Sequence, residues 1–400
     1  MNPTERIART QSVLKQNNLD GLFVRLNNNV LMMSGYLPIN GMSLVLVPAQ
    51  GDPVLIAPHQ DERFMMECFI EDRRFYTWGD TAHMDPMKGI LSNLEAIASE
   101  KGLSGGKIAH EGAPPLYALP RWTPEQRVWV PQQTEALRQC FGTAEWTDLS
   151  ALLIREASIK TEWEIGKVRD ANHVAAVGLE AFRRAVRPGR TEVAVAAEVE
   201  GALQTHGHEA TGAQFVRAWA HVMSGPNARY ACQTYNASTP REIGDGEAVL
   251  MELGVLVDGY WSDLTRVHVA GKPSKEQVEV FQRVLEAQEL QTEAVRPGFE
   301  WAAVDAAGRN LLSGAIDGLH FPHITGHGVG FCYHELSPFI GPEIAGTIEE
   351  NQIVAIEPGL YATNEASFGG LRLESNFLVT ASGAERLDDF DEDLQLWQNS

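Results

Sequence analysis

The 400-residue sequence is poor in positive charge and in cysteine, and each shortage excludes a class of protein. Its 53 acidic residues outnumber its 32 lysines and arginines, which gives a formal net charge of −21. Binding to DNA or RNA needs a basic face for the phosphates, so neither is expected as a partner. The four cysteines are widely spaced and form no C-x-x-C pair, which excludes a disulfide framework and a zinc–thiolate site. A reducing, cytoplasmic location is therefore expected.

Long apolar runs are also missing, although apolar residues make up 44% of the sequence. No segment approaches the roughly 20 apolar residues that a membrane helix needs, and residues 1–21 contain no apolar core of signal-peptide length. The string GHGVG at 326–330 is not a G-x-G-x-x-G nucleotide fingerprint, and no G-x-S-x-G elbow occurs. The sequence thus predicts a globular protein with no membrane partner, and its length favours two domains.

The two predicted domains differ in their patterns. Residues 1–152 alternate short helices and apolar strands, as in TERIARTQSVLKQNNLDG followed by GLFVRL, and predict an α/β domain. A capping-box sequence, Thr161-Glu162-Trp163-Glu164, then opens a long helical pattern. We therefore place the boundary between residues 152 and 153, which assigns residues 153–400 to the second domain.

A repeat is present within the second domain. The pentapeptide AVRPG occurs at 185–189 and again at 294–298. Each copy ends one helical pattern and precedes another, and each is followed by a pair of apolar, hairpin-like segments. The matching order of elements predicts two related halves of roughly 110 residues, packed face to face around a shared sheet.

Each half places two acidic residues inside apolar strands. The outgoing strands VLMELG and VAIEPG carry Glu252 and Glu357, and the return strands YWSDLTR and LRLESNF carry Asp263 and Glu374. A buried carboxylate needs a cation or a strong hydrogen-bond donor. Four carboxylates in one site therefore need neutralisation, which two divalent cations would provide.

The geometry of the first hairpin follows from its turn. Asp258-Gly259 favours a tight turn, which would place position 252 opposite 265 and position 254 opposite 263. Glu252 and Asp263 are then diagonal neighbours on one face, within about 7–8 Å of each other. The second hairpin is expected to bring its two acids together in the same way.

Residues 323–335, HITGHGVGFCYHE, add three histidines and three glycines. One imidazole with four carboxylates is a mostly oxygen ligand set, which suits Mn²⁺, or Co²⁺ or Zn²⁺ by substitution. Two such ions about 3.5–4 Å apart can activate water and polarise a carbonyl group. An alternative stays open, in which the strand acids pair with the nearby Arg266 and Arg372.

From about residue 155 to 385 these strings resemble the pita-bread metallopeptidases (M24): aminopeptidase P, prolidase, methionine aminopeptidase and creatinase. The first domain is similar to that of the aminopeptidase P, prolidase and creatinase branch. The resemblance implies a mixed α/β (α+β) fold, with a creatinase-like N-terminal α/β domain, a C-terminal pseudo-twofold pita-bread domain and a homodimer. It also implies a dinuclear metallopeptidase that cleaves the amide bond before proline in dipeptides or short peptides.

The resemblance further implies roles for single residues. The implied metal ligands are Glu252, Asp263, His327, Glu357 and Glu374. Glu357 is implied as the proton shuttle, and His323 and His334 as catalytic groups that bind substrate and stabilise the tetrahedral intermediate. Arg372 matches an arginine beside the site, where it would anchor a substrate carboxylate.

Two positions depart from the family pattern. Glu252 stands where the family has aspartate, and its extra methylene moves the carboxylate about 1.5 Å further out. Cys232, five residues after Asn227, stands where the family has a substrate-contacting histidine. A reactive thiol and an inert buried cysteine are both compatible with this position.

These departures keep two other functions open. One is a non-peptidase with few or no metal ions, either a creatinase-like or ectoine-hydrolase-like enzyme acting on a small amide or amidine, or a lyase acting on an osmolyte. The other is a peptidase-like domain that acts only as a binding module. The nearly intact ligand set argues against the second, because a binding module has no need to hold four acids together.

Overall fold

The computed structural model describes residues 2–77, 85–112, 131–233, 237–364, 369–388 and 390. The chain divides into two compact units, Met1–Ala157 and Ser158–Ser400. The boundary inferred from the sequence, between residues 152 and 153, lies within the last helix of the first unit and stays a prediction. Among the described residues, no helix combines the length and the apolar character needed to cross a membrane.

The first unit is built on one six-stranded sheet of mixed direction, in the order β4-β3-β2-β1-β5-β6. Its helices are α1 (Glu5–Gln16), α2 (Asn27–Ser34), α3 (Pro86–Glu100), α4 (Pro131–Gln139) and α5 (Ser150–Ser158). Its strands are β1 (Gly21–Val24), β2 (Leu44–Pro48), β3 (Val54–Pro58), β4 (Asp72–Tyr76), β5 (Lys107–His110) and β6 (Glu145–Asp148).

Local pattern accounts for most of this unit. Every residue of β2 and β3 is buried, as expected for continuous apolar strands covered on both faces. Helix α3 begins after Asp85, whose side chain accepts from two backbone N–H groups of the first turn. Helix α2 was not predicted, because its asparagine-rich sequence NNNVLMMS carries no helical period.

The second unit contains four helices and eleven strands among its described residues. The helices are α6 (Glu162–Ala185), α7 (Glu192–Thr211), α8 (Lys275–Ala294) and α9 (Trp301–Leu312). The strands are β7 (Val216–Ser224), β8 (Glu247–Val257), β9 (Tyr260–Ala270), β10 (Leu319–His320), β11 (Gly326–Gly328), β12 (Phe339–Ile340), β13 (Ile353–Ile356), β14 (Gly359–Ala362), β15 (Gly370–Arg372), β16 (Ser375–Thr380) and β17 (Gly383–Arg386).

The predicted repeat is present in the structure. Helices α6 and α8 end at Ala185 and Ala294, the first residue of each AVRPG copy, and α7 and α9 follow. The predicted capping box at Thr161 and Glu164 also forms, with both reciprocal hydrogen bonds. Helices α6 and α7 bury apolar residues against β7, β8 and β9, which makes one core of this unit.

Among the described residues no continuous ladder runs through both halves, so the structure divides the shared sheet that the sequence predicted. Within the described ranges the ladders form three sheets, β7-β8-β9, β12-β11-β13-β16-β17 and β10-β14-β15. A single bridge between Thr265 and Glu374 links the first hairpin to the second half. Pro358 lacks an N–H group, so it cannot extend the ladder that β13 forms with β16.

A buried ion pair fixes the loop after β11. Lys160 Nζ lies 2.6 Å from Glu335 Oε2, and the two side chains are 1% and 6% exposed. The other carboxylate oxygen of Glu335 accepts from the backbone N–H of Phe331 at 2.9 Å. The pair therefore ties the start of the second unit to the segment that carries His334.

Lys160→Met is expected to lower the free energy of unfolding of the second unit by about 3–5 kcal/mol, because it leaves the Glu335 carboxylate buried without its cation. Urea and thermal unfolding would measure the loss. Arg169→Met is the matched control, since it breaks a half-exposed pair with Glu385 and should cost less than about 1 kcal/mol. Equal losses in the two variants would contradict the assignment.

Candidate metal centre

The first two acids lie on the β8–β9 hairpin in the register that the sequence predicts. The Asp258-Gly259 turn has positive φ at both residues, as a tight hairpin turn requires. Glu252 pairs with Thr265, and Gly254 pairs with Asp263. Glu252 and Asp263 are therefore diagonal neighbours on one face, and they are only 5% and 1% exposed.

The second pair of acids flanks the end of another ladder. Glu357 directly follows β13, and Glu374 directly precedes β16. Since Ile356 pairs with Ser375, the two acids lie opposite each other one step beyond the ladder. The bridge to Thr265 then brings this pair to the first hairpin, so all four acids belong to one buried region.

His327 lies in this region on strand β11, which pairs with β12 on one side and β13 on the other. A Cβ atom at Gly326 would collide with the carbonyl oxygen of Ala355, and one at Gly328 would lie 2.5 Å from the carbonyl oxygen of Ser337. Only glycine permits so close an approach of neighbouring backbone. The glycines of the GHGVG string therefore let the histidine-bearing strand fit against its neighbours.

Unpartnered atoms mark where a cation fits. Both carboxylate oxygens of Asp263 and the Nε2 atom of His327 are buried, with no hydrogen-bond partner among the described residues. His327 Nδ1 lies 2.9 Å from a backbone carbonyl, which assigns it the proton and leaves a lone pair on Nε2. Ligand atoms of His327, Glu357 and Glu374 lie within 4.8 Å of one another, as do those of Asp263, His327 and His334. These donors fit a divalent cation.

The electrostatics of the cluster follow from its burial and from the crowding of its carboxylates. Burial, and then the charge of Glu374, raise the pKa of Asp263 and of Glu357 well above the ordinary range. Burial lowers the pKa of His327 to about 3 and that of His334 to about 4. Both imidazoles are therefore neutral at physiological pH, which is the state that binds metal.

Glu252 has a different environment from the other three acids. Burial alone would raise its pKa, but the Arg372 cation, with His221 and His334, lowers that pKa to about 2. Arg372 Nη2 lies 2.5 Å from Glu252 Oε2. The hydroxyl group of Tyr333 donates to Glu252 Oε1 at 2.9 Å. Glu252 contributes to neither group of clustered ligand atoms.

The two arginines considered in the sequence have different partners. Arg266 forms an ion pair with Asp388 at 2.6 Å. Arg372 lies among the strand acids, because its Nε atom is 3.7 Å from Glu357 and 3.8 Å from Glu374 in addition to the Glu252 contact. The alternative of acid–arginine pairing thus describes Glu252, whereas it does not describe Asp263, which has no such partner among the described residues.

The two histidines predicted to bind substrate lie beside the cluster. His334 Nε2 is 3.6 Å from Asp263 Oδ2, and its ring centroid is 4.4 Å from that of His327. His323 Nε2 lies 2.9 Å from the hydroxyl of Tyr361, and burial lowers the pKa of His323 to about 3. The structure therefore brings every predicted site residue into one region, while their roles stay predictions.

Sequence reasoning missed three residues of this region. Tyr333 binds Glu252, Tyr361 contacts His323, and His221 lies directly opposite Glu252 in the β7–β8 ladder. Each tyrosine lies inside a string already identified for its histidine or glutamate, which was the available signal. His221 had no such signal, because its position depends on the pairing of β7 with β8.

Cys232 lies at the end of a 3₁₀ segment, Gly225–Cys232, and is partly buried. Its thiol donates to the carbonyl oxygen of Arg229 at 3.2 Å, and burial raises its pKa. Burial also raises the pKa of the other three cysteines, Cys68, Cys140 and Cys332. The thiolate form is therefore disfavoured at all four positions, which favours an inert role for Cys232.

All four cysteines are expected to react slowly with iodoacetamide at neutral pH, because the thiolate is the nucleophile and a raised pKa keeps each group protonated. Labelling mapped by mass spectrometry, with and without denaturant, would measure this. The denatured chain is the control and should label at every cysteine. Rapid labelling of Cys232 alone in the native protein would restore the reactive-thiol alternative.

Two family models match the chain. Residues 166–381 match the family model described as Metallopeptidase family M24, and residues 6–156 match the Creatinase/Prolidase N-terminal domain. Over 390 residues the chain is 25% identical to a Xaa-Pro dipeptidase from Pyrococcus horikoshii, covering 98% of each protein. It is 26% identical, also over 390 residues, to a Xaa-Pro dipeptidase from Pyrococcus furiosus, covering 98% of this chain and 99% of that one.

A solved structure supports the fold independently. A Xaa-Pro dipeptidase from Bacillus anthracis matches with a TM-score of 0.77, over 98% of this chain and 99% of the other. The identity is 23%, so this likeness concerns the fold alone. The predicted fold class, an N-terminal creatinase-like domain followed by a pita-bread domain, is confirmed.

Proposed function

The chain belongs to metallopeptidase family M24, and from that premise we propose that it hydrolyses the amide bond before proline in dipeptides or short peptides. The match over residues 166–381 confirms the predicted family and the predicted class of enzyme. The observation that carries the proposal is the buried cluster around Asp263 and His327, whose unpartnered atoms fit a divalent cation. The relatives named Xaa-Pro dipeptidases support the choice of substrate.

The centre is expected to use two divalent cations, with Mn²⁺ best suited to its oxygen-rich donors and Co²⁺ or Zn²⁺ as substitutes. The residues that would hold them are Glu252, Asp263, His327, Glu357 and Glu374. Such cations, when bound, polarise the scissile carbonyl and make water nucleophilic at neutral pH. Their number and identity are part of the proposal.

Glu357 is the proposed proton shuttle. It takes a proton from the attacking water and delivers it to the leaving nitrogen of the proline. Burial and the neighbouring Glu374 raise its pKa, so this carboxyl group holds a proton more readily than an exposed glutamate does.

His323 and His334 are proposed to bind the substrate and to stabilise the negative charge that develops on its carbonyl oxygen. Both rings are neutral, since burial lowers their pKa values to about 3 and about 4. They therefore act as hydrogen-bonding groups and not as cations.

Three further points belong to the proposal. Arg372 anchors a substrate carboxylate, the protein forms a homodimer, and it is located in the cytoplasm.

The non-peptidase alternative rests on two observations. Glu252 is bound by Arg372 and Tyr333, and the resemblance in sequence implies a substrate-contacting histidine where this chain has Cys232. An enzyme acting on a small amide or amidine would tolerate both features, since it has no proline ring to place. Assays with Xaa-Pro dipeptides and with small amides or amidines can separate the two functions, because the two kinds of substrate have only the reacting group in common.

Glu357→Gln is expected to reduce kcat on Xaa-Pro dipeptides by roughly 10²–10⁴-fold in Mn²⁺-loaded protein, because the amide cannot carry the proton. Steady-state kinetics with Ala-Pro and Met-Pro would measure the loss, and circular dichroism would verify the fold. Glu385→Gln is the matched control, since that acid is half-exposed and pairs with Arg169.

Two results would contradict the proposal. Full activity of Glu357→Gln would exclude the proton-shuttle role. Absence of Xaa-Pro hydrolysis in the metal-loaded unmodified protein, together with hydrolysis of a small amide or amidine, would establish the non-peptidase alternative.

A further inference from the structure

We propose that Tyr333 is a positioning residue which, together with Arg372, holds Glu252 away from the cations and makes the two expected ion sites unequal. One ion binds firmly to the acids and histidine that have free ligand atoms. The other binds weakly, because its site needs the Glu252 carboxylate, which must first leave the hydroxyl of Tyr333. This inference rests on the proposed function and deepens it.

Two acids on the same hairpin face have contrasting partners. Asp263 has two buried carboxylate oxygens with no hydrogen-bond partner among the described residues. Glu252 has a donor on each oxygen, Arg372 on Oε2 at 2.5 Å and Tyr333 on Oε1 at 2.9 Å. The protein itself therefore satisfies Glu252, whereas it leaves Asp263 for a cation.

The possible ligand atoms of the region fall into two clusters. Both clusters of mutually close donors contain His327, one with Asp263 and His334 and the other with Glu357 and Glu374. Glu252 belongs to neither cluster, although it shares a strand face with Asp263. A first ion can therefore bind without any movement of Glu252.

Neighbouring groups hold Tyr333 in place. Its ring centroid lies 5.4 Å from that of Trp261 and 4.5 Å from that of His334. The ring lies over Gly254, where a Cβ atom would come within 2.6 Å of it. The aromatic packing and the bare glycine together fix the hydroxyl at the carboxylate of Glu252.

The restraint at Arg372 is equally firm. Its Nε atom donates to Thr265 Oγ1 at 2.9 Å, and its Nη1 atom donates to the carbonyl oxygen of Ala231 at 2.8 Å. Replacing Arg372 would therefore disturb several contacts together. The hydroxyl of Tyr333 is the restraint that a single substitution can remove while the ring, and hence the packing, remains.

The test is a titration of the chelator-treated full chain with Mn²⁺ alone. Isothermal calorimetry gives the number and affinity of the ions, and electron paramagnetic resonance detects a coupled pair. The unmodified protein is expected to bind one ion firmly and a second at least roughly tenfold more weakly, since hydrogen bonds to charged groups are strong. Tyr333→Phe is expected to tighten the second ion by roughly tenfold and to leave the first unchanged.

Two further variants complete the design. Tyr260→Phe is the matched control, because that ring packs against Trp163 and Phe331 and the change should alter neither affinity. Glu252→Gln should abolish the second ion and retain the first, which also reports on Glu252 if Tyr333→Phe folds poorly.

The inference is overturned if the unmodified protein binds two ions with equal affinity, if Tyr333→Phe behaves like the unmodified protein, or if Glu252→Gln keeps both ions. Failure to bind any Mn²⁺ is a different result, because it would overturn the proposed metal-dependent function itself. The two failures are therefore distinguishable in one titration.

Discussion

Burial of like charges is the constraint on which the second unit depends. Asp263, Glu357 and Glu374 lie buried together, and burial raises their pKa values, with repulsion from neighbouring acids adding to the shift. A folded core accepts such a cluster where a cation balances it. The apolar layers of α6 and α7 behind β8 and β9 hold the first hairpin firmly, so its acids stay within the cluster. The site is thus a product of the packing around it.

A small number of hydrogen bonds connects the two halves of the second unit beside the acids. Thr265 and Glu374 form the bridge between the first hairpin and the second half, through reciprocal backbone hydrogen bonds of 3.2 and 3.3 Å. The Thr265 hydroxyl donates to Glu374 Oε2 at 2.6 Å and accepts from Arg372 Nε at 2.9 Å. One threonine therefore orients an acid and the arginine that lies among the acids.

The carboxyl groups differ in pKa because of their environments and not because of their residue types. Glu252 and Asp263 share a strand face, yet the pKa of Glu252 falls to about 2 while that of Asp263 rises well above its ordinary value. Arg372 accounts for much of the difference, because it contacts Glu252 at hydrogen-bond distance. Opposite shifts on neighbouring acids allow one buried region to contain both a permanently ionised group and groups that exchange protons or bind cations.

The features that depend on local pattern could be predicted from the sequence. The Asp258-Gly259 turn and the two-residue period of strands set the pairing of Glu252 with Thr265, the capping box set the start of α6, and the AVRPG copies marked the repeat. The partner that each acid obtains depends instead on tertiary packing. Tyr333 and Arg372 reach Glu252 from 81 and 120 residues further along the chain, and the sheet divides beyond Ile356. Such contacts depend on how distant segments pack, and no short-range period in the sequence specifies that.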